Sequence, residues 1–103
     1  MKKIINGKSY NTDTAEIIAS FENGLGSRDF RNYSEELYKT KKGNYFLAGE
    51  GGAMTKYSRP VGNMTDGGSD IFVLSKTEAI EWLERHGETE ALEKYFADDI
   101  EEG

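Results

Sequence analysis

The residues best suited to chemistry lie in one glycine-rich stretch, GEGGAMTKYSRPVGNMTDGG, residues 49–68. It holds six of the chain's twelve glycines and its only proline, together with Lys56, Tyr57 and Arg59. A phosphate-binding loop needs a glycine directly before its lysine, Ser or Thr directly after it, and a helix beyond. Here a threonine precedes Lys56, a tyrosine follows it, and Pro60 disfavours the helix that would have to follow. The stretch is therefore either a flexible connection or a recognition loop that contacts a partner through Lys56, Tyr57 and Arg59.

His86 is the only histidine, and an imidazole is the natural general base near neutral pH. Its place at the end of a predicted helix favours a structural role instead, in which the ring interacts with the negative end of the helix dipole. The chain has no cysteine, so a metal site would have to be built mainly from carboxylates. We expect no catalytic residue, no metal and no cofactor, and hence no enzyme.

The charge of the chain is unevenly distributed. The formal net charge is −6, but residues 1–77 hold nine acidic and eleven basic residues, a balance of +2. Residues 78–103 hold ten acidic residues against Arg85 and Lys94, a balance of −8. Such a segment repels a phosphate backbone and favours a basic partner. We therefore expect a protein partner, with no direct nucleic-acid binding.

Three of these acids, Glu81, Glu84 and Glu88, recur on the polar side of one predicted helix. A solvated helix face is one interpretation. A solubility surface usually mixes both signs of charge, however, and almost no lysine is interleaved here. A surface of a single sign can imitate a nucleic-acid strand and enter a basic groove. These glutamates are therefore candidate partner-binding residues.

The composition indicates one folded domain over residues 1–103. The chain is 36% hydrophobic and 12% aromatic, which is too aromatic for a disordered segment and enough for a small core. Its first apolar run ends after two isoleucines, too short for a signal peptide or a membrane span. We expect a cytoplasmic protein, without membrane contact.

Turn and capping signals divide the first half of the chain. The pair Asn6-Gly7 predicts a hairpin over Lys2–Tyr10. Apolar residues at near-helical spacing predict a helix over Asp13–Phe21. A second hairpin is expected from strands at Glu35–Thr40 and Asn44–Ala48, with a helix over Ser34–Lys39 as the alternative.

The second half carries a strand followed by helices. The apolar run in SDIFVLS predicts a buried strand, and Ser75 with Glu78 forms a capping box for a helix that ends at His86. A last short helix precedes a frayed acidic tail at about 98–103. The predicted fold is α+β, an antiparallel or mixed sheet of four to five strands with about three short helices covering one face.

Three motifs across the chain resemble a family of small proteins from phages and mobile elements of Firmicutes. The pattern combines an Asn-Gly-Lys turn with a tyrosine and two threonines, a Gly-Glu-Gly-Gly segment with a tyrosine, and a capping box that leads to Ala, Trp and His. The matching positions are Asn6, Gly7, Lys8, Tyr10, Thr12, Thr14, Gly49, Glu50, Gly51, Gly52, Tyr57, Leu74, Ser75, Glu78, Ala79, Trp82 and His86.

Some members of that family look like inhibitors of the RNA-guided nuclease of type II CRISPR systems. The resemblance therefore implies a phage-type anti-CRISPR protein that binds the host nuclease stoichiometrically, and it brings no catalytic residues. The expected mode is an acidic surface that blocks nucleic-acid binding. The alternative is a mobile-element accessory module that binds another host protein through its glycine-rich loop.

Overall fold

The computed structural model describes all 103 residues as an α+β fold. Its elements, in chain order, are β1 (Lys2–Ile5), β2 (Lys8–Asn11), β3 (Glu16–Glu22), β4 (Tyr33–Lys39), β5 (Tyr45–Gly51), β6 (Arg59–Val61), β7 (Met64–Asp66), β8 (Gly68–Leu74), α1 (Lys76–Arg85), α2 (Thr89–Tyr95) and a 3₁₀ turn (Ala97–Asp99). A four-stranded antiparallel sheet has the order β3-β4-β5-β8, and β1-β2 and β6-β7 form separate hairpins. The predicted fold class is confirmed, with two α-helices and a 3₁₀ turn as its helical part.

The four-stranded sheet is the middle layer and carries an apolar cluster on each face. Successive strand residues point to opposite faces, so Leu37 and Tyr38 on β4 enter different clusters. On one face the helices contribute Trp82, Leu83 and Phe96 to the larger cluster. The β1-β2 hairpin packs Tyr10 against the other face. The helices therefore cover one face, as predicted.

Local signals explain the elements that the sequence predicted correctly. Asn6 and Gly7 both have positive φ, 52° and 76°, as a two-residue type I′ hairpin requires. The second hairpin forms from β4 and β5, so the alternative helix over Ser34–Lys39 is wrong. The capping box of α1 is complete, because the Ser75 side chain accepts from the Glu78 N–H and the Glu78 side chain accepts from the Ser75 N–H.

The helix predicted over Asp13–Phe21 is wrong. Asn11 closes a turn there, since its side chain accepts the Asp13 N–H at 2.9 Å, and β3 then pairs with β4. The register of this pair shifts between Ile17 and Ala19. Because of this bulge, the adjacent residues Ile18 and Ala19 both pack against the core. The apolar residues of β3 therefore do not alternate, and their spacing resembles that of a helix.

The stretch at 49–68 is not a structureless loop. It begins with the end of β5 and contains the β6-β7 hairpin, whose residues Arg59–Val61 and Met64–Asp66 pair antiparallel. Between them the chain folds back over its own strand, so that the Tyr57 ring lies against Gly49. A Cβ atom at Gly49 would overlap the Tyr57 hydroxyl, so glycine is needed for close packing and not for chemistry.

Gly49→Ala tests this packing. We expect it to lower the free energy of unfolding by about 1–3 kcal/mol, because the added methyl displaces Tyr57 or strains the strand. Gly26→Ala is the matched control, since a Cβ there meets nothing within 4 Å, and it should change stability by less than about 1 kcal/mol. Urea unfolding of both variants measures the difference, and equal stabilities would contradict the packing role.

Candidate functional site

Tyr57, predicted as a surface contact, lies in the interior. Only 3% of the residue is exposed, and its hydroxyl donates to the carboxylate of Glu35 at 2.6 Å. Burial and this carboxylate raise the pKa of Tyr57 and keep the phenol neutral. The prediction that Tyr57 anchors a partner is therefore wrong. Its ring packs against Gly49 of β5 and its hydroxyl is bonded to Glu35, so neither is free to contact a partner.

Glu35 is the only buried charged residue, with 3% exposure, and it is held by three donors. Tyr57 donates to one carboxylate oxygen, Trp82 Nε1 donates to the other at 3.1 Å, and Lys56 Nζ lies 2.6 Å from the first. Burial by itself raises the pKa of the Glu35 carboxyl, but the hydrogen bonds from these donors outweigh it and lower the pKa. The carboxylate therefore joins β4, α1 and the segment that follows β5.

Sequence reasoning missed Glu35, although alternation along β4 carried a signal. Glu35 and Leu37 are two residues apart, so they point to the same face, and Leu37 is fully buried. A glutamate at an inward position requires partners from elsewhere in the fold. Lys56 is one of them, so it is an ion-pair partner, while half of its side chain remains exposed.

Arg59 is exposed at the start of β6, and its aliphatic stem lies beside Gly68. It takes part in none of the four ion pairs of the molecule. Of the three loop residues predicted to contact a partner, Arg59 is therefore exposed and unpaired, Lys56 is half exposed and paired, and Tyr57 is buried. The structure does not gather them into one surface patch.

His86 caps the C-terminal end of α1 and packs between aromatic rings. Its ring stacks on Phe21 at 3.9 Å between centroids and meets the edge of Trp82 at 4.6 Å. Burial lowers the pKa of His86; the nearby carboxylates of Glu35 and Glu88 oppose this effect, and the cations Arg85 and Lys56 add to it. The ring is therefore favoured in its neutral form, which replaces the expected charge–dipole interaction with aromatic packing.

The predicted acidic residues lie on the outside of the C-terminal helices. Glu81 and Glu84 are exposed on α1, whose opposite side buries Ala79, Trp82 and Leu83. Glu88 is partly exposed at the N-cap of α2 and makes no side-chain capping hydrogen bond.

The ten acidic residues of 78–103 are almost free of cationic partners. Asp99 pairs with Lys76 at 3.0 Å, and no other member has an ion-pair partner. Asp99 lies within the predicted frayed tail at 98–103, whose start is ordered by the 3₁₀ turn. We call the exposed carboxylates of Glu81, Glu84, Glu90 and Glu93, with the partly exposed Glu88, the acidic face of α1 and α2. Arg85 and Lys94 are exposed on the same helices and form no ion pair with them.

No protein-family model, curated protein or solved structure matches the chain. No helix combines the length and the apolar composition needed to cross a bilayer. No group of three or more His, Asp or Glu side chains is placed to hold a metal ion.

Replacement of Glu35 should be strongly destabilising. Glu35→Ala leaves Tyr57 and Trp82 without their acceptor, so we expect a loss of about 3–5 kcal/mol in the free energy of unfolding. Glu50→Ala, at an exposed position of β5 without an ion-pair partner, is the control and should stay within about 0.5 kcal/mol of wild type. Urea unfolding at neutral pH measures both variants. If Glu35→Ala lowers the free energy of unfolding no more than the control does, Glu35 does not hold these elements together.

The charge of Glu35 should also appear in the pH dependence of stability. Because its folded pKa is lowered, its contribution is present above the unfolded carboxyl pKa, about 4.3, and is lost as pH falls through the folded pKa. The stability difference between wild type and Glu35→Gln should therefore shrink in acid. Unfolding curves across that range measure it, and a difference that grows in acid contradicts the assignment.

His86 should titrate below the usual pKa of histidine, about 6.5. NMR of the ring protons in the folded protein measures this directly, with the urea-unfolded chain as its own control. A folded pKa at or above the unfolded value would show that burial between Phe21 and Trp82 does not govern the ring.

Proposed function

We propose that the chain is a phage-type anti-CRISPR protein, a stoichiometric inhibitor of the type II RNA-guided nuclease. The single observation that carries the proposal is the acidic face of α1 and α2, whose carboxylates are exposed and largely unpaired. The resemblance of three sequence motifs to a phage protein family supports the choice of target. Inhibition requires binding alone, so no catalytic residue is needed.

The acidic face suits a groove that normally holds nucleic acid. Such a nuclease holds its heteroduplex in a positively charged channel and recognises it through the backbone. The exposed carboxylates of Glu81 and Glu84 and the partly exposed one of Glu88 offer negative charge that is independent of any base sequence. Long-range attraction would speed association, and occupation of the channel would exclude guide or target strands.

The acidic face can offer a partner mainly charged side chains. The apolar side of α1 is occupied by the sheet, since Ala79, Trp82 and Leu83 are buried. Binding through the opposite side would therefore be mainly electrostatic, and salt should weaken it.

The alternative, a mobile-element accessory module that binds another host protein through residues 49–68, lacks the anchor first assigned to it. Tyr57 is buried against Glu35, which leaves Arg59 and the β6-β7 hairpin as the exposed part of that stretch. A host protein could still meet the hairpin, but through other side chains. The acidic face is therefore the better supported surface for nuclease inhibition.

Charge reversal tests the proposal in a DNA cleavage assay with purified nuclease, guide RNA and target. Wild-type chain should abolish cleavage near equimolar ratio when added before the nucleic acids. Glu81→Lys, Glu84→Lys and Glu88→Lys together should raise the half-inhibitory concentration at least tenfold, which corresponds to about 1.4 kcal/mol. Higher salt should weaken the wild-type inhibitor in the same direction.

The matched control reverses the same number of charges on the other face of the sheet. Glu22, Glu36 and Glu50 are exposed and line one surface depression there. Their triple lysine variant has the same net charge as the helix variant, so it should inhibit like wild type. Absence of binding and inhibition by the wild-type chain at tenfold excess, in every order of addition, would refute the proposal.

A further inference from the structure

A groove of about 1100 Å³ lies at the end of the sheet, away from the acidic face of α1 and α2. One wall comes from the segment 23–32 between β3 and β4, together with the adjoining strand ends, and the other comes from residues 59–69, which include the β6-β7 hairpin. Its floor is the end of β5 with residues 50–53. The volume exceeds the range of about 300–1000 Å³ that is usual for small-molecule sites.

The first wall of the groove is held by hydrogen bonds to the backbone. The Asn23 side chain donates to the Arg31 carbonyl at 2.9 Å and accepts the Tyr33 N–H at 3.2 Å. The Asn32 side chain donates to the Gly26 carbonyl at 2.9 Å. These bonds order a segment that has no strand or helix of its own.

Backbone hydrogen bonds also join this wall to the floor. The Gly52 N–H donates to the Asn32 carbonyl at 2.9 Å, and the Met54 N–H donates to the Phe30 carbonyl at 2.7 Å. The groove is therefore a built feature of the fold.

Exposed apolar side chains are concentrated in this groove. Phe30 is 65% exposed, Val61 52% and Met64 75%, and Leu25 joins them at 41%. These four are among ten large hydrophobic residues exposed in the whole molecule, so the groove holds a disproportionate share. Clusters of exposed apolar side chains in a soluble domain mark interaction sites, and flexible methionine suits a peptide surface.

The charged residues around these apolar groups are mainly acidic. Glu22, Glu50 and Asp66 line the groove without an ion-pair partner, and Asp29 is paired with Arg31. Arg59 is the only cationic residue that lines it. An occupant that matches this surface must combine apolar side chains with positive charge.

We propose that this groove binds an extended protein segment whose apolar side chains are flanked by lysine or arginine. Phe30, Val61 and Met64 would receive the apolar side chains, while Glu22, Glu50 and Asp66 would attract the flanking cations. A second copy is disfavoured, because a two-fold axis through the groove would bring its own carboxylates face to face. The inference is independent of nuclease inhibition, since it uses a different surface.

Selection from a random twelve-residue peptide library displayed on phage tests the inference with immobilised, folded protein. Enriched peptides should carry net positive charge and apolar residues. Their binding, measured as synthetic peptides by fluorescence anisotropy, should weaken at least tenfold with the double variant Phe30→Ser and Met64→Ser. Glu22→Gln with Glu50→Gln should weaken binding and reduce its salt dependence, because these changes remove charge and leave the apolar side chains of the groove in place.

Ile4→Ser with Ile100→Ser is the matched control, because both residues are exposed and neither lines the groove. This control should bind the selected peptides like wild type. Enrichment of neutral or acidic peptides, equal binding by the Phe30 and Met64 variant, or no enrichment would overturn the inference. Self-association in sedimentation equilibrium that is lost in the Phe30 and Met64 variant would also overturn it, since the occupant would then be a second copy.

Discussion

The buried carboxylate of Glu35 is the interaction on which the arrangement of the fold depends. An unpaired charge in the interior is strongly unfavourable, so a buried carboxylate requires hydrogen-bond donors and a compensating positive charge nearby. Tyr57 and Trp82 each donate to a different oxygen of the carboxylate, and Lys56 supplies the compensating charge. One side chain thus fixes both α1 and the returning segment after β5 against the sheet.

This constraint also explains the glycine-rich motif. For Tyr57 to reach Glu35, its ring must cross β5 at the point where the strand pairs with Glu35, and that partner is Gly49. Gly49 and Gly51 therefore allow Tyr57 and Thr55, from the segment that follows β5, to pack against that strand, and Gly52 allows close approach of the Phe30 backbone. Because Tyr57 and half of the Lys56 side chain are used inside the molecule, candidate contacts must be sought on the outer face of the helices and in the groove.

Turn and capping motifs predicted much of the fold. The elements that could not be predicted depend on contacts between residues far apart in the sequence. Asn6-Gly7 and the Ser75 capping box are decided within a few residues, so the first hairpin and α1 could be predicted. The strand at Glu16–Glu22 could not, because its bulge imitates helical spacing and only pairing with β4 decides its conformation.

The same division holds for the candidate site. The exposure of Glu81 and Glu84 follows from helical periodicity, and the structure places both on the outside of α1. The burial of Tyr57 depends on a carboxylate 22 residues away in the chain, and no local pattern specifies it. The groove likewise joins segments about 30 residues apart. Its apolar side chains lie among glycines and polar residues in the sequence, so no local pattern predicts that they form one surface.

Hydrogen–deuterium exchange of the chain, free and mixed with the guide-free nuclease, would locate the surface through which the proposed inhibitor binds. We expect a complex in which peptides covering α1 and α2, residues 76–95, gain protection from exchange. Peptides of the β1-β2 hairpin, on the opposite face of the sheet, should exchange as in the free chain. Protection of other surfaces with residues 76–95 unchanged, or no complex at all, would contradict binding through the acidic face of α1 and α2.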